Sequence, residues 1–277
     1  MEKIISPNFS DLLTSNIEIK EFPDGDHYVR IPDVKLMAGK EVVVYHRLYP
    51  SQNASLIQAI FIARALKEAK TIKLVAPYIP YSRQDKIWRE GEVKSAEVVM
   101  GMLKNAGYSR VITFDCHFLK QVGDFEYSGM SVTNITLSDL LINHAKKRLG
   151  SNFEIISPDA GANYMSNGKS MNKTRGDYGK GNIIYRDIEK IEIDFDISGK
   201  NILIIDDMIS TGSTMVKAIE NLRKNGAGKI ALAATHGFFL NDSLKRLGHL
   251  SDYIFVSNTI PSSISEVNFM DALKSIY

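Results

Sequence analysis

The chain has one cysteine, Cys116, among 277 residues, so an internal disulfide is impossible and a reducing compartment is expected. The same scarcity removes any zinc cluster, and Cys116 reads as a small, semi-buried apolar residue. Charge of one sign is also lacking. The formal net charge is +2, with no long basic or acidic block, so there is no global attraction to nucleic acid. No apolar run approaches the roughly 18 residues that would cross a bilayer. Met1-Glu2-Lys3 does not feed an apolar run, so no secretory leader is expected and the cytoplasm is the expected location. There is no G-x-x-x-x-G-K-[ST] and no G-x-G-x-x-G after a strand, which excludes a P-loop kinase and argues against dinucleotide binding.

What the chain does have is 44% hydrophobic residues, enough for one large core or two smaller ones. Short apolar runs alternate with amphipathic segments. Strands are expected at 42–45, 73–76 and 111–114, then again at 153–156, 201–205 and 229–233. Between the first three lie two helices. One spans 51–70, with Leu56, Ile57, Ile60, Ala63 and Leu66 inward. The other is capped by Ser95, carries Val98, Val99, Met102 and Leu103, and ends at Gly107. Leu140, Leu141 and Ala145 suit a further helix, as do residues 214–225 with Met215, Ala218, Ile219 and Leu222 inward. Buried strands separated by helices indicate α/β architecture with parallel sheets covered on both faces. Two domains are expected, 1–140 and 141–277, although no Pro/Gly/Ser-rich linker divides them. Segment 166–182, rich in Gly, Asn, Lys and Ser, reads as a mobile loop. Residues 262–277 read as helical and are expected to fold back on the first domain.

The run Asp206-Asp207-Met208-Ile209-Ser210-Thr211-Gly212-Ser213-Thr214 follows the apolar stretch 201–205. A strand ending in two carboxylates, then hydroxyls and glycine opening a helix, favours a phosphate at the helix start. Hydroxyls of Thr211, Ser213 and Thr214 add donors, and Gly212 admits close backbone approach. The carboxylates repel phosphate, and suit ribose hydroxyls or hydrated Mg²⁺.

This segment closely resembles the phosphoribosyl pyrophosphate loop of the type I phosphoribosyltransferase fold. Phe22-Pro23-Asp24-Gly25-Asp26, Pro77-Tyr78, Tyr81-Ser82-Arg83-Gln84-Asp85, Asp115-Cys116-His117, Ser157-Pro158-Asp159-Ala160-Gly161 and Thr235-His236-Gly237 precede and follow it in that order. The ordered set resembles ribose-phosphate pyrophosphokinases along nearly the whole chain, the shorter archaeal-like members in particular. The resemblance implies two tandem type I phosphoribosyltransferase-like domains, ATP on the first and ribose 5-phosphate on the second. It implies that Arg83 and Gln84 hold ATP, and that Phe22, Asp24 and Asp26 form an adenine loop supplied by a neighbouring subunit, hence at least a homodimer. Asp26 stands where relatives usually have glutamate. His117 and Asp159 match positions that bind Mg²⁺ near the ATP phosphates. Lys173 and Arg175 match a catalytic flexible loop, and Asp206, Asp207 and residues 210–214 (Ser210, Thr211, Gly212, Ser213, Thr214) the ribose 5-phosphate cradle. Asp115 and His236 read as structural, and Trp88 and Arg89 are left between subunit packing and ATP binding. Ala162, Asn163 and Ser213 depart from commoner family residues without removing a reacting group. Two other readings remain: a phosphoribosyltransferase, which has no need of Arg83-Gln84 or the Phe22 loop, and an inactive regulatory subunit, against which the retained Lys173, Arg175, His117 and Asp159 argue.

Overall fold

The structure is a computed structural model describing residues 1–158, 160–166, 170–178, 186–192 and 196–274, with backbone alone for 160, 172–178 and 186–192. Two compact units divide the chain, Met1–Ile135 and Thr136–Tyr277. The first runs β1 (Glu2–Ile5), β2 (Glu18–Glu21), β3 (His27–Arg30), β4 (Glu41–Tyr45), α1 (Gln52–Ala65), β5 (Thr71–Val75), α2 (Ser95–Ala106), β6 (Arg110–Phe114), β7 (Gly123–Tyr127) and β8 (Met130–Ile135). Six of these strands form one sheet in the order β1-β4-β5-β6-β8-β7, parallel except for the antiparallel edge strand β7. β2 and β3 make a separate antiparallel hairpin.

Val42 and Val44, Ile72 and Leu74, Val111 and Val132 turn the same face of the sheet toward α1 and α2. On α1 the inward stripe is Leu56, Ala59, Ile62, Ala63 and Leu66, and Ile57 is exposed. On α2 it is Ala96, Val99, Met100, Leu103 and Ala106, with Val98 and Met102 outward. Both helices are apolar on more than one side, so residue spacing did not single out the face that packs. α1 also stops at Ala65, five residues short of the expected end. Gly107 ends α2 as anticipated, at φ 123°. Cys116 is fully buried rather than semi-buried.

His46, just past β4, is fully enclosed. Its Nδ1 lies 2.9 Å from Ser6 Oγ, and its Nε2 lies 2.9 Å from the Ser55 carbonyl in the first turns of α1. Burial pushes its pKa down to about 4, against the weaker opposing effect of the Ser55 bond. A depressed folded-state pKa means that the unfolded chain takes the proton first. His46 therefore contributes stability that is complete above about pH 6.5 and is lost as pH falls toward 4, on the order of 3 kcal/mol in all. Urea unfolding at pH 7 and pH 4 should show this loss in the wild type and less of it in His46→Gln. Equal losses in both proteins would refute the assignment.

The second unit runs α3 (Ser138–Leu149), β9 (Glu154–Ile156), β10 (Asn172–Tyr178), β11 (Arg186–Glu192), β12 (Ile202–Ile209), α4 (Ser213–Lys224), β13 (Ile230–Gly237), α5 (Ser243–Leu250), β14 (Tyr253–Ser257), β15 (Ser265–Val267) and α6 (Met270–Leu273). Its five-stranded sheet, β15-β14-β13-β12-β9, is parallel throughout. Ile202, Ile204, Ile230, Leu232 and Ala234 pack with Met215, Ala218, Ile219 and Leu222 of α4, as expected of that helix. The alternate residues Leu203, Ile205, Ala231, Ala233 and Phe255 are also buried, and α3 lies against this sheet with the His144 ring 4.7 Å from Phe255.

Three expectations change here. Segment 166–182 is not all loop, since 172–178 pairs antiparallel with 186–192. The strand after Asn201 does not end at the carboxylates but runs on to Ile209, because β13 keeps pairing as far as Ile209↔Gly237. Residues 262–274 hold an edge strand and one short helix rather than being helical throughout. Asn258 holds them to the end of β14, donating its N–H to the Val267 carbonyl at 2.9 Å and accepting the Phe269 N–H on Oδ1 at 3.0 Å. Residues 275–277 lie outside the described residues.

Candidate active site

In the first unit β4, β5 and β6 are parallel neighbours, so the segments leaving their C-terminal ends emerge along one edge. That edge is where open α/β sheets take ligands. Residues 46–51, 76–94 and 115–117 leave from it. The chain stitches them down: His46 N–H donates to Val75 O, Ala76 N–H to Ile112 O and Asp115 N–H to Ile135 O, at 3.1, 3.0 and 2.9 Å.

Tyr81 sits in the left-handed region at φ 61°, a conformation that costs a non-glycine residue energy and recurs at functional sites. Its hydroxyl donates to Asn53 Oδ1 at the start of α1. Tyr81 and Ser51, Gln52, Asn53 and Ala54 line an open cavity of about 500 Å³. Arg83 and Gln84 follow, both exposed. Gln84 N–H donates to the Tyr81 carbonyl at 3.0 Å, and the Gln84 carbonyl accepts from Ala96 N–H at 3.3 Å. Ser95 does not cap α2. Lys94 holds the N-cap position, and the Ser95 hydroxyl donates to Gln84 Oε1 at 2.5 Å. Neither Ser95 nor the Ser51–Asn53 start of α1 was legible as part of this loop, since each partner lies on another element.

Asp115 is fully buried and left-handed at φ 38°, Cys116 N–H donates to Asn134 Oδ1 at 2.9 Å, and His117 is half-buried on the turn that follows β6. Asp159 lies outside the described residues. Trp88 and Arg89 are exposed, and their backbone N–H groups donate to the Glu92 carboxylate. Phe22, Asp24 and Asp26 form the tip of the β2–β3 hairpin. Phe22 is 52% exposed, and its ring meets Tyr28 edge-on at 6.3 Å. The Phe22 N–H to Asp26 carbonyl bond of 2.8 Å closes the tip, and Gly25 takes φ 93° within it.

In the second unit β12 delivers Asp206 and Asp207 to the mouth of α4. Neighbouring residues of a strand face opposite sides. The two carboxylates are therefore not side by side: Asp206 is half-buried and Asp207 nearly buried, with Asp207 N–H donating to Asp206 Oδ1 at 2.9 Å. Ser210 and Thr211 turn the chain into Gly212, which occupies the N-cap of α4 at φ 75° with no side chain capping the helix. The turn is braced from α5. The Ser210 carbonyl accepts Ser243 Oγ–H and the Leu240 N–H, both at 3.1 Å, and the Thr211 carbonyl accepts Arg246 Nη2 at 2.7 Å. With these carbonyls bonded to that side, the amide-rich start of α4 suits an anion. Thr211 and Ser213 hydroxyls stand 3.4 Å apart at the same point. His236, level with Met208 on the neighbouring strand, is buried with Nδ1 2.9 Å from Thr259 Oγ1.

Lys173 and Arg175 fall on β10, in register with Ile191 and Ile188, with a register shift between Thr174 and Arg175. Their side chains lie outside the described residues. β11 runs beside α4, which places the β10–β11 arm next to the helix that begins at Gly212. Among the described residues no three His, Cys, Asp or Glu side chains cluster as a metal cage. Mg²⁺ does not require one, since it keeps several waters and takes one or two protein oxygens plus substrate phosphates. In the second unit the Asp206–Asp207 pair on β12 supplies carboxylate oxygens for such sparse ligation; in the first unit the half-buried His117 after β6, a nitrogen donor, suits contact through one of the ion's waters.

Two α/β units, each a mainly parallel sheet with helices packed on it, make this a tandem phosphoribosyltransferase-like protein. The family profile for the N-terminal domain of ribose phosphate pyrophosphokinase matches residues 5–107, and that of the phosphoribosyl synthetase-associated domain matches residues 170–276. The chain is 38% identical to the ribose-phosphate pyrophosphokinase of Pyrococcus abyssi, over 94% of this chain and 90% of that one. It is 36% identical to that of Pyrococcus furiosus, over 95% and 92%. The crystal structure of phosphoribosylpyrophosphate synthetase from Mycobacterium smegmatis superposes with a TM-score of 0.77 at 25% identity, covering 94% of this chain and 90% of that one. The chain belongs to the ribose-phosphate pyrophosphokinase family, and it is an enzyme rather than a binding module.

Proposed function

We propose that the protein transfers the β,γ-diphosphoryl group of ATP to the anomeric hydroxyl of ribose 5-phosphate, yielding phosphoribosyl pyrophosphate and AMP for nucleotide biosynthesis in the cytoplasm. The observation that carries this reading is the β12–α4 junction, where two carboxylates precede a glycine-opened, uncapped helix start. Amides and hydroxyls of residues 210–214 bind the 5-phosphate, the half-buried Asp206 takes the ribose hydroxyls directly, and Asp207, on the other face of β12, supports the ribose site from behind. Arg83 presents a planar fork to phosphate and Gln84 an amide to the same nucleotide. The anomeric oxygen attacks the β-phosphorus, the bond from that phosphorus to the α,β-bridging oxygen breaks with that oxygen leaving on AMP, and the anomeric hydroxyl proton passes to solvent. No covalent enzyme intermediate is needed. Alignment of the two substrates and positive charge from Lys173 and Arg175 account for the rate. His117 and Asp159 would hold Mg²⁺, which when bound neutralises phosphate charge.

Phe22, Asp24 and Asp26 serve the adenine of a neighbouring subunit, so the working form is at least a homodimer. Exposed apolar side chains stand on the hairpin (Phe22, Tyr28), on α1 (Ile57, Phe61) and on α2 (Val98, Met102), and self-association would cover them.

The purified protein with Mg²⁺, ATP and ribose 5-phosphate should release AMP without any partner. AMP release that requires a nucleobase, or none at all until a second protein is added, would reject the reading. In the same assay Asp206→Asn and Asp207→Asn should each raise the KM for ribose 5-phosphate and leave that for ATP. Asp206, the more exposed, should have the larger effect, on the order of 10-fold or more for a charge-assisted bond.

A further inference from the structure

We infer that Ser95 is a positioning residue for nucleotide binding: its hydroxyl holds the Gln84 amide so that the NH₂ group, not the carbonyl, faces the ligand. The inference rests on the reading that Gln84 grips ATP. A serine at a helix start ordinarily caps it, yet α2 has no side-chain cap and the Ser95 hydroxyl is directed elsewhere. Its partner is Gln84 Oε1 at 2.5 Å. The structure thus sets the amide oxygen, rather than the NH₂, beside the Ser95 hydroxyl. The Gln84 backbone is held on both sides, its N–H by the Tyr81 carbonyl and its carbonyl by the Ala96 N–H. Tyr81 is in turn tied to Asn53. With the main chain pinned, the chief remaining choice is which end of the amide points outward, and Ser95 makes it.

A neutral amide presents either two donors or one acceptor. With Oε1 engaged by Ser95, the outward pair is N–H, which matches a ligand acceptor such as a phosphate oxygen or a ring nitrogen. It mismatches an exocyclic amino group. The same geometry leaves Arg83, one residue earlier, exposed alongside it, so the pair offers donors only.

Steady-state kinetics on the full chain test this. Ser95→Ala should raise the KM for ATP about 3- to 10-fold, the loss of one hydrogen bond, with kcat and the KM for ribose 5-phosphate within about twofold. Ser95→Thr, which keeps the hydroxyl, should restore it. Ser95→Asp separates the proposal from a structural role. A carboxylate in the first turn of α2 favours the helix, so the thermal midpoint should hold or rise. That carboxylate accepts only, so the Gln84 amide must turn its NH₂ inward, and the KM for ATP should rise more than in Ser95→Ala. In the Gln84→Ala background Ser95→Asp should add nothing. An additional rise there would mean that the new charge acts on the nucleotide directly, overturning the positioning role. Gln84→Ala raising the KM while Ser95→Ala leaves it unchanged would overturn it too. An unchanged KM in Gln84→Ala would instead reject the grip itself, and this proposal with it. Assays of tripolyphosphate and adenosine as competitors distinguish the two acceptors. Loss of tripolyphosphate inhibition in Ser95→Asp assigns the NH₂ to phosphate, and loss of adenosine inhibition assigns it to the ring; retention of both in full would overturn the assignment.

Discussion

Lys173→Ala should lower turnover on the order of 10²–10³-fold while the KM for ATP changes little, because removing one donor that acts only as charge develops costs about 2.7–4 kcal/mol. The chemical argument is that the diphosphoryl group moves between two oxygens with almost no help from covalent chemistry, so charge placed around it is most of the catalysis. The structural argument is the β10–β11 arm. It is a two-stranded sheet of its own, and β11 runs beside α4, the helix whose start is the proposed phosphate cradle. Lys173 sits on the strand paired with β11, in the same unit as that cradle. Lys173→Arg should recover part of the rate, since a guanidinium keeps the charge but not the shape. Turnover within twofold of wild type in Lys173→Ala, measured by AMP release at saturating substrates, would remove the arm from the mechanism.

Gly212→Ala should damage both stability and sugar binding. Gly212 holds φ 75°, and a Cβ there would stand 3.1 Å from both Ser243 Cβ and Leu247 Cδ1 of α5. The left-handed backbone costs alanine about 1 kcal/mol, and forcing a methyl against a packed helix about 1–3 more. The sum, roughly 2–4 kcal/mol, should appear as a lower urea midpoint with an unchanged slope. If the turn relieves the clash by moving off α5, it breaks the Ser210 and Thr211 carbonyl bonds to Ser243 and Arg246. The KM for ribose 5-phosphate should then rise about 10-fold or more while ATP affinity stays. Wild-type stability together with wild-type ribose 5-phosphate kinetics would show that neither the glycine nor the brace matters.

The strands and the motifs were legible because each is a local property. Val42–Tyr45 or Ile202–Ile205 is a run that only a doubly covered parallel strand accommodates, and Asp206 to Thr214 carries its chemistry in unbroken order. What was misread depends on partners. β12 looked finished at Ile205 because carboxylates are poor strand formers, but β13 pairs with it to Ile209 and carries Asp206 and Asp207 onto opposite faces. Residues 172–178 looked like loop because their strand partner is 186–192, beyond any local window. Val98 and Met102 looked like core because α2 has more than one apolar side, and Ser95 looked like a cap because Gln84 is eleven positions away.

From the order of its residues alone, then, this chain determines its architecture and its family, and it supplies the charged and hydroxyl side chains proposed to hold a sugar phosphate and a nucleotide. Tertiary structure decided which of these can act together: that α5 braces the Gly212 turn, that Ser95 orients Gln84, and that Asp206 and Asp207 diverge. The division has a physical cause. Strand and helix preferences and motif chemistry arise from neighbours within a few residues, whereas the direction in which a side chain points is settled by hydrogen bonds and packing with elements distant in sequence.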